Sequence, residues 1–211
     1  MEIEINRDHY NFFSGLKRRK KPTAWVIHHT CTTTPAKTRK ALKDKGCSTH
    51  FEVDIDGTIY QYADVMQMTC HCGSPNVHTI GIDVTHPADA KWPEVQIKAV
   101  ESLVDWLCET YGLSHEVHEK LEGGWPHKAI GQTACPQDFP MQRLNKPDIK
   151  PKDTQFDCEC ECDELEDEDD FDLIQRIRQL MFTALADGQR EKLKEMLKDR
   201  FSPVLKEIAA W

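Results

Sequence analysis

The chain has 211 residues and a mass of 24.3 kDa, enough for one domain with a real core plus an appendage too small to be a second ordinary domain. Its formal charge of -9 sits in one place: residues 1–152 carry 19 Lys and Arg against 19 Asp and Glu, whereas residues 153–211 carry 8 against 17. A neutral body argues against nucleic acid as the main partner, since phosphate binding needs a clustered positive surface, and no stretch approaches the roughly 20 apolar residues of a membrane span.

The start, Met1-Glu-Ile-Glu-Ile-Asn-Arg7, has no apolar run after a basic start, so synthesis in the cytoplasm without Sec export is expected. Nine cysteines are an odd number, which in such a chain favours metal binding or free thiols over a disulfide framework; pairing becomes an option outside a cell. Residues 1–22 read as a short lead in which Tyr10, Phe12 and Phe13 are candidates to pack on the body. It ends in the basic run Lys17-Arg-Arg-Lys-Lys21, either a contact for an anionic surface or a solvated arm, with the arm favoured.

The body is expected over residues 23–150. Ala24-Trp-Val-Ile-His28 is a short apolar run that fits a buried central strand delivering His28 at its carboxyl end, where ligands sit in open α/β sheets. Thr34 as N-cap and Pro35 at the first helical position open a helix that runs through Lys45 to a Gly46 stop. Residues 48–62 predict a hairpin, with Phe51, Val53 and Ile55 alternating against His50, Glu52 and Asp54, and Asp56-Gly57 at the turn.

Residues 66–78, with Cys70-His71-Cys72, lack periodicity and read as a loop; adjacent ligands converge poorly, so a second metal there is disfavoured. Thr79–Thr85 is another strand. A long helix opens at Trp92-Pro93-Glu94 and carries Ile97, Val100, Leu103, Val104, Leu107 and Cys108 at helical spacing until Gly112. A short strand near Glu116–His118 and a loop at Gly123-Gly124 follow. Strands interleaved with helices predict an α/β fold, a mixed central β-sheet flanked by helices.

From Asp153 a run of acidic residues has no basic partner, so residues 151–170 are expected to be an extended acidic linker. Cys158, Cys160 and Cys162 within it collect a soft metal, pair with other cysteines or stay as thiols. Ile174, Ile177, Met181 and Leu185 recur at helical spacing, which makes residues 171–211 a small helical appendage and a candidate surface for self-association.

His127 and Cys135 stand eight residues apart in a turn-rich segment. With His28 they supply two imidazoles and a thiolate, donors able to hold Zn²⁺ and leave the fourth tetrahedral position open to water. Taken singly, each is more simply a core histidine or a buried thiol.

The segments Val26-Ile-His28-His-Thr30, Ser48-Thr-His-Phe51, Asp56-Gly-Thr-Ile-Tyr-Gln61, His71-Cys-Gly-Ser-Pro-Asn76, Thr79-Ile-Gly-Ile-Asp83 and His127 with Thr133-Ala-Cys135-Pro136 change that weighing. In this order they resemble the zinc N-acetylmuramoyl-L-alanine amidases of type 2, which include phage amidases, bacterial anhydro-muropeptide amidases and animal peptidoglycan recognition proteins. The resemblance, over residues 24 to 144, implies zinc held by His28, His127 and Cys135, with His29 the nearest rival to His28. It implies peptidoglycan or a muropeptide as substrate and hydrolysis of the amide between N-acetylmuramic acid and L-alanine.

Asp83 falls where bacterial members carry a catalytic Glu, one methylene shorter, and is favoured over Glu52 as the proton carrier. Thr133 falls where relatives carry a Lys or Thr suited to an oxyanion, and His71 where a groove histidine lies. Thr49 stands where other members have a Tyr. The lack of an export signal favours a phage-type lysin, acting on the cell wall, or a cytoplasmic recycling amidase. The alternative is a catalytically inactive peptidoglycan-binding module of the same fold.

Overall fold

The computed structural model describes residues 3–13, 21–88, 90–117 and 122–146. The expected acidic linker with Cys158, Cys160 and Cys162, the expected helical appendage over 171–211 and most of the basic run lie outside the described residues.

Five strands make one mixed sheet: β1 (Ala24–His29), β2 (Phe51–Val53), β3 (Ile59–Gln61), β4 (Thr79–Val84) and β5 (Gly123–Pro126), in the spatial order β3-β2-β4-β1-β5. β1 lies parallel to β4 and to β5, β2 lies parallel to β4, and only the β2–β3 hairpin is antiparallel. Two helices, α1 (Pro35–Asp44) and α2 (Glu94–Tyr111), supply the crossovers and cover the sheet. The parallel centre explains why β1 and β4 are buried along their whole length, since a strand covered on both faces has no solvent side.

Local chemistry sets the element ends. The Thr34 hydroxyl accepts a hydrogen bond from the Lys37 N–H at 3.3 Å, and Pro35 occupies the first turn of α1. α2 stops at Gly112, which adopts a left-handed φ of 67° and returns its N–H to the Cys108 carbonyl. At the hairpin the Asp54 N–H donates to the Thr58 carbonyl, and Gly57 takes a φ of 89°. Ile55 belongs to this turn rather than to a strand and is exposed, contrary to the alternation expected of it.

One face of the sheet carries Trp25, Ile27, Phe51, Val53, Ile80, Ile82 and Val84, against which α2 packs Val100, Leu103, Val104 and Leu107. Full burial of one such side chain contributes roughly 1.5–3 kcal/mol. Because side chains alternate along a strand, the residues between these point to the opposite face. That face holds His28, Asp83 and Glu52, and α1 covers part of it, with Leu42 packed on a small cluster of Phe13, Tyr62 and Ala63. The lead docks on the body too: Asn6 bridges Tyr60 at the β3 edge, Phe13 is buried, and Tyr10 and Phe12 are partly exposed, the Phe12 ring against Phe13 and Tyr62 and the Tyr10 hydroxyl donating to Asp64 at 2.8 Å.

Two expectations fail in the segment after α2. Val117 makes only an isolated bridge to Gly124, and Gly123-Gly124 is the start of a strand, not a loop. The reason lies across the sheet: a Cβ on Gly124 would stand 2.1 Å from the Trp25 indole. Glycine here leaves room for a core tryptophan, a close approach that local turn propensity cannot distinguish from a loop.

Candidate metal centre

The register of β1 with β5 builds the site. Ala24 pairs with Gly123 and Ile27 with Pro126, so continuing the pairing by one residue sets His28 beside His127 at the carboxyl edge. The chain then turns through a short 3-10 helix, His127–Ala129, and comes back with Cys135, whose carbonyl accepts from the Lys128 N–H at 2.6 Å. The Cys135-Pro136 peptide is cis.

Donor atoms of His28, His127 and Cys135 all lie within 4.8 Å of one another, the one such group of three or more potential metal ligands among the described residues. The Nδ1 atoms of His28 and His127 are 3.1 Å apart. A tetrahedral zinc with Zn–N of about 2.0–2.1 Å and Zn–S of about 2.3 Å separates two nitrogens by roughly 3.3 Å and a nitrogen from sulfur by roughly 3.6 Å. The two nitrogens fit that edge length, the sulfur lies within 4.8 Å of them, and the chemistry of the set, two imidazoles and a thiolate, suits zinc.

Behind His28 a chain of hydrogen bonds assigns its tautomer. The Thr79 hydroxyl donates to the Pro75 carbonyl at 2.8 Å, so toward His71 Nε2, 3.2 Å away, it acts as acceptor. His71 then carries its proton on Nε2 and offers a lone pair at Nδ1 to His28 Nε2, 3.0 Å away. His28 is left with its own lone pair on Nδ1, the atom that faces His127. Such outer partners orient a ligand imidazole and raise its basicity. The glycine of β4 is part of this device, because a Cβ on Gly81 would stand 2.8 Å from His71 Cγ and drive the ring off His28.

Burial, with His71 and His127 as neighbours, holds the His28 imidazole well below its ordinary pKa, and burial alone lowers His127. Both therefore stay neutral at neutral pH, the form that binds metal. Burial pushes the Cys135 thiol up to about 11 despite the hydrogen bond from the His29 N–H to its sulfur at 3.1 Å, and the charges of Asp83 and Cys31 add to the rise. Taking up a cation at this thiol therefore releases a proton.

Asp83 stands in register with His28 on one side and with Glu52 on the other. Burial raises its carboxyl well above the usual carboxylate range, Glu52 and Cys47 raise it further, and a hydrogen bond with Thr49 opposes them. Glu52 is itself fully buried. It accepts hydrogen bonds from the Tyr62 and Thr85 hydroxyls, and Arg39 donates to the Tyr62 oxygen at 3.0 Å.

All six residues singled out from the sequence, His28, His71, Asp83, His127, Thr133 and Cys135, line one open pocket of about 260 Å³. Thr133 is exposed there and its hydroxyl oxygen accepts from the Cys135 N–H at 3.1 Å. The rival His29 points to the other face, its Nε2 donating to the His86 carbonyl at 2.6 Å and its ring against Trp92. His50 is structural: its Nδ1 accepts from the Gly81 N–H at 2.9 Å, and its Nε2 donates to the Gln67 carbonyl at 2.8 Å. The Tyr62–Arg39–Thr85 support of Glu52 was not legible in advance, since nothing local marks those residues as meeting.

The α/β sheet gathers at its carboxyl edge a His, His, Cys group able to hold a metal ion. Residues 18–138, more than half of the chain, match the family of N-acetylmuramoyl-L-alanine amidases, and the chain belongs to that family. No curated protein matches it. Among solved structures it is similar to the N-acetylmuramoyl-L-alanine amidase LysC from Clostridium intestinale URNW, with 25% identity and a TM-score of 0.58 over 68% of this chain and 95% of that one. The endolysin amidase LysCS from the same organism gives 25% identity and a TM-score of 0.57 over 67% and 92%. The Ph2119 endolysin from a Thermus scotoductus bacteriophage shares the fold at 21% identity and a TM-score of 0.55, over 67% of this chain and 96% of that one.

Proposed function

We propose that this amidase is a zinc enzyme of the lysin type that hydrolyses the amide between N-acetylmuramic acid and L-alanine in peptidoglycan. The observation that carries the proposal is the convergence of His28, His127 and Cys135 with the buried Asp83 in one pocket. Zinc held by these three residues supplies a Lewis acid for the amide carbonyl and lowers the pKa of water toward roughly 7.

The rest belongs to the chain. Asp83, at the pocket wall, takes the proton of the attacking water and hands it to the leaving amine of L-alanine; burial raises its affinity for that proton. The Thr133 oxygen is satisfied by the Cys135 N–H, which leaves its O–H to donate to the developing oxyanion. Both ring nitrogens of His71 are engaged with His28 and Thr79, so its task is to hold His28 rather than to touch substrate.

The lysin assignment rests on the endolysin names among the similar structures and implies action at the cell wall. The domain limits 23–150, 151–170 and 171–211, and self-association through the last segment, stay part of the proposal; a chain ending at Lys152 that keeps the oligomeric state of the full one would remove the self-association.

The test is zinc content together with release of stem peptide from purified peptidoglycan, on wild type and Asp83→Asn. About one zinc per chain in both, with cleavage lowered by roughly 10²–10⁴ in the variant, is the expected result. Full turnover in Asp83→Asn would sink the proton-carrying role, and zinc without cleavage in wild type would select the binding module.

A further inference from the structure

Cys47 and Cys70 are a thiol pair outside the metal set. Cys47 lies in the turn between α1 and β2, and Cys70 in the loop that carries His71. Two hydrogen bonds lace these segments together beside the sulfurs: the Ser48 N–H donates to the Cys70 carbonyl at 2.9 Å, and the Cys70 N–H donates to the Ser48 hydroxyl at 2.7 Å. The Cys70 thiol lies within hydrogen-bonding reach of the Cys47 sulfur. Both cysteines are half-buried, and Cys47 lines the pocket with His28 and Asp83.

Other described thiols are differently placed. Cys72 contacts the Asn76 carboxamide oxygen at 3.3 Å and Thr79 at 3.4 Å, Cys108 lies on the buried face of α2, and Cys135 belongs to the metal donors. We propose that Cys47 and Cys70 form a reversible disulfide, a covalent strap between the turn leading into β2 and the loop that holds His71 against His28.

The chemistry is thiol–disulfide exchange with a glutathione-type disulfide as oxidant. The Cys47 thiolate attacks one oxidant sulfur, the oxidant S–S bond breaks, and the first small thiol leaves with a proton. The Cys70 thiolate then attacks the Cys47 sulfur of the mixed disulfide and expels the second. Two protein thiols are oxidised to one disulfide while one disulfide is reduced to two thiols.

Cys47 suits the attacking role. The hydrogen bond from Cys70 lowers its thiol to about 7 against the opposing effect of burial, and Lys45 contributes in the same direction; a thiol that titrates near ambient pH attacks fastest. Neither cysteine is a metal donor, so the strap leaves His28, His127 and Cys135 in place.

The experiment uses the full chain loaded with zinc, incubated with oxidised glutathione, alkylated, digested and mapped by mass spectrometry. A Cys47–Cys70 linked peptide about 2 Da lighter than the two thiols, reverting on reduction, is expected, together with retained zinc. The melting temperature of the oxidised protein should rise by on the order of 5 °C over the reduced one. Cys47→Ser and Cys70→Ser, close in size to the native residues, should each abolish the linked peptide and the rise while keeping the circular dichroism of the wild type. Cys47 found only as its glutathione adduct, linked to a different cysteine, or linked to Cys70 with no gain in melting temperature would overturn the proposal.

Discussion

Beneath α2 the sheet presents Trp25, Ile27, Phe51, Ile80, Ile82 and Val84 to a helix that returns Val100, Leu103, Val104 and Leu107. Its opposite face presents His28, Asp83 and Glu52, each held by one or two directed hydrogen bonds. Both faces come from the same strands, one residue out of phase. The apolar face is redundant: dispersion and burial are shared over many contacts, so loss of one costs stability and leaves the geometry standing. The polar face has no such redundancy, because each donor is oriented by one or two partners and a shift of about 1 Å destroys a ligand set.

That contrast yields a ranked set of outcomes. Cys135→Ser replaces the one thiolate of the donor set and should take stem-peptide release to background, with bound zinc falling below about a tenth per chain by metal analysis, while the thermal unfolding of the metal-free protein stays near wild type. A large loss of metal-free stability would show that the two faces are not separable. Leu103→Ala, on the apolar face, should destabilise by roughly 2–5 kcal/mol in urea unfolding; zinc-loaded activity below the transition should remain close to wild type.

His71→Ala tests the device behind His28. Zinc affinity should fall roughly 10–100-fold by competition with a chelator, and activity should return at saturating zinc. If activity stays low when zinc is saturating, His71 meets substrate after all. A further effect is one of pH. Cys135 is protonated below about 11, and the two histidines, lowered from their ordinary value, are already neutral above 6.5. In Asp83→Asn, zinc binding between pH 7 and 9 should therefore release one proton and tighten about tenfold per pH unit. A slope near zero would mean that Cys135 enters as a preformed thiolate.

Much of this was legible in the chain itself. Thr34-Pro35, Asp56-Gly57 and Gly112 set ends and turns through their own backbone preferences, and the helical spacing from Ile97 to Leu107 marked the helix that covers the sheet. The donor set was legible too, but only jointly, since His28 alone is as well explained by a strand end. Gly123-Gly124 misled because its strand character is decided by Trp25, about a hundred residues away in the chain, and Ile55 because a turn, not the alternation, claimed it.

The sequence by itself determined the α/β class and most element ends, because periodicity, capping and turn formation act over a few neighbours, while the six candidate site residues were implied by the donor set together with the family resemblance. Tertiary structure alone decided that β1 and β5 pair in the register that sets His28 beside His127, and that His71 lies on Gly81 with both nitrogens engaged. It also decided that Glu52 is buried next to Asp83 under Tyr62, Thr85 and Arg39. These depend on strand order and on contacts between distant segments, where one residue of register reverses every side chain's face.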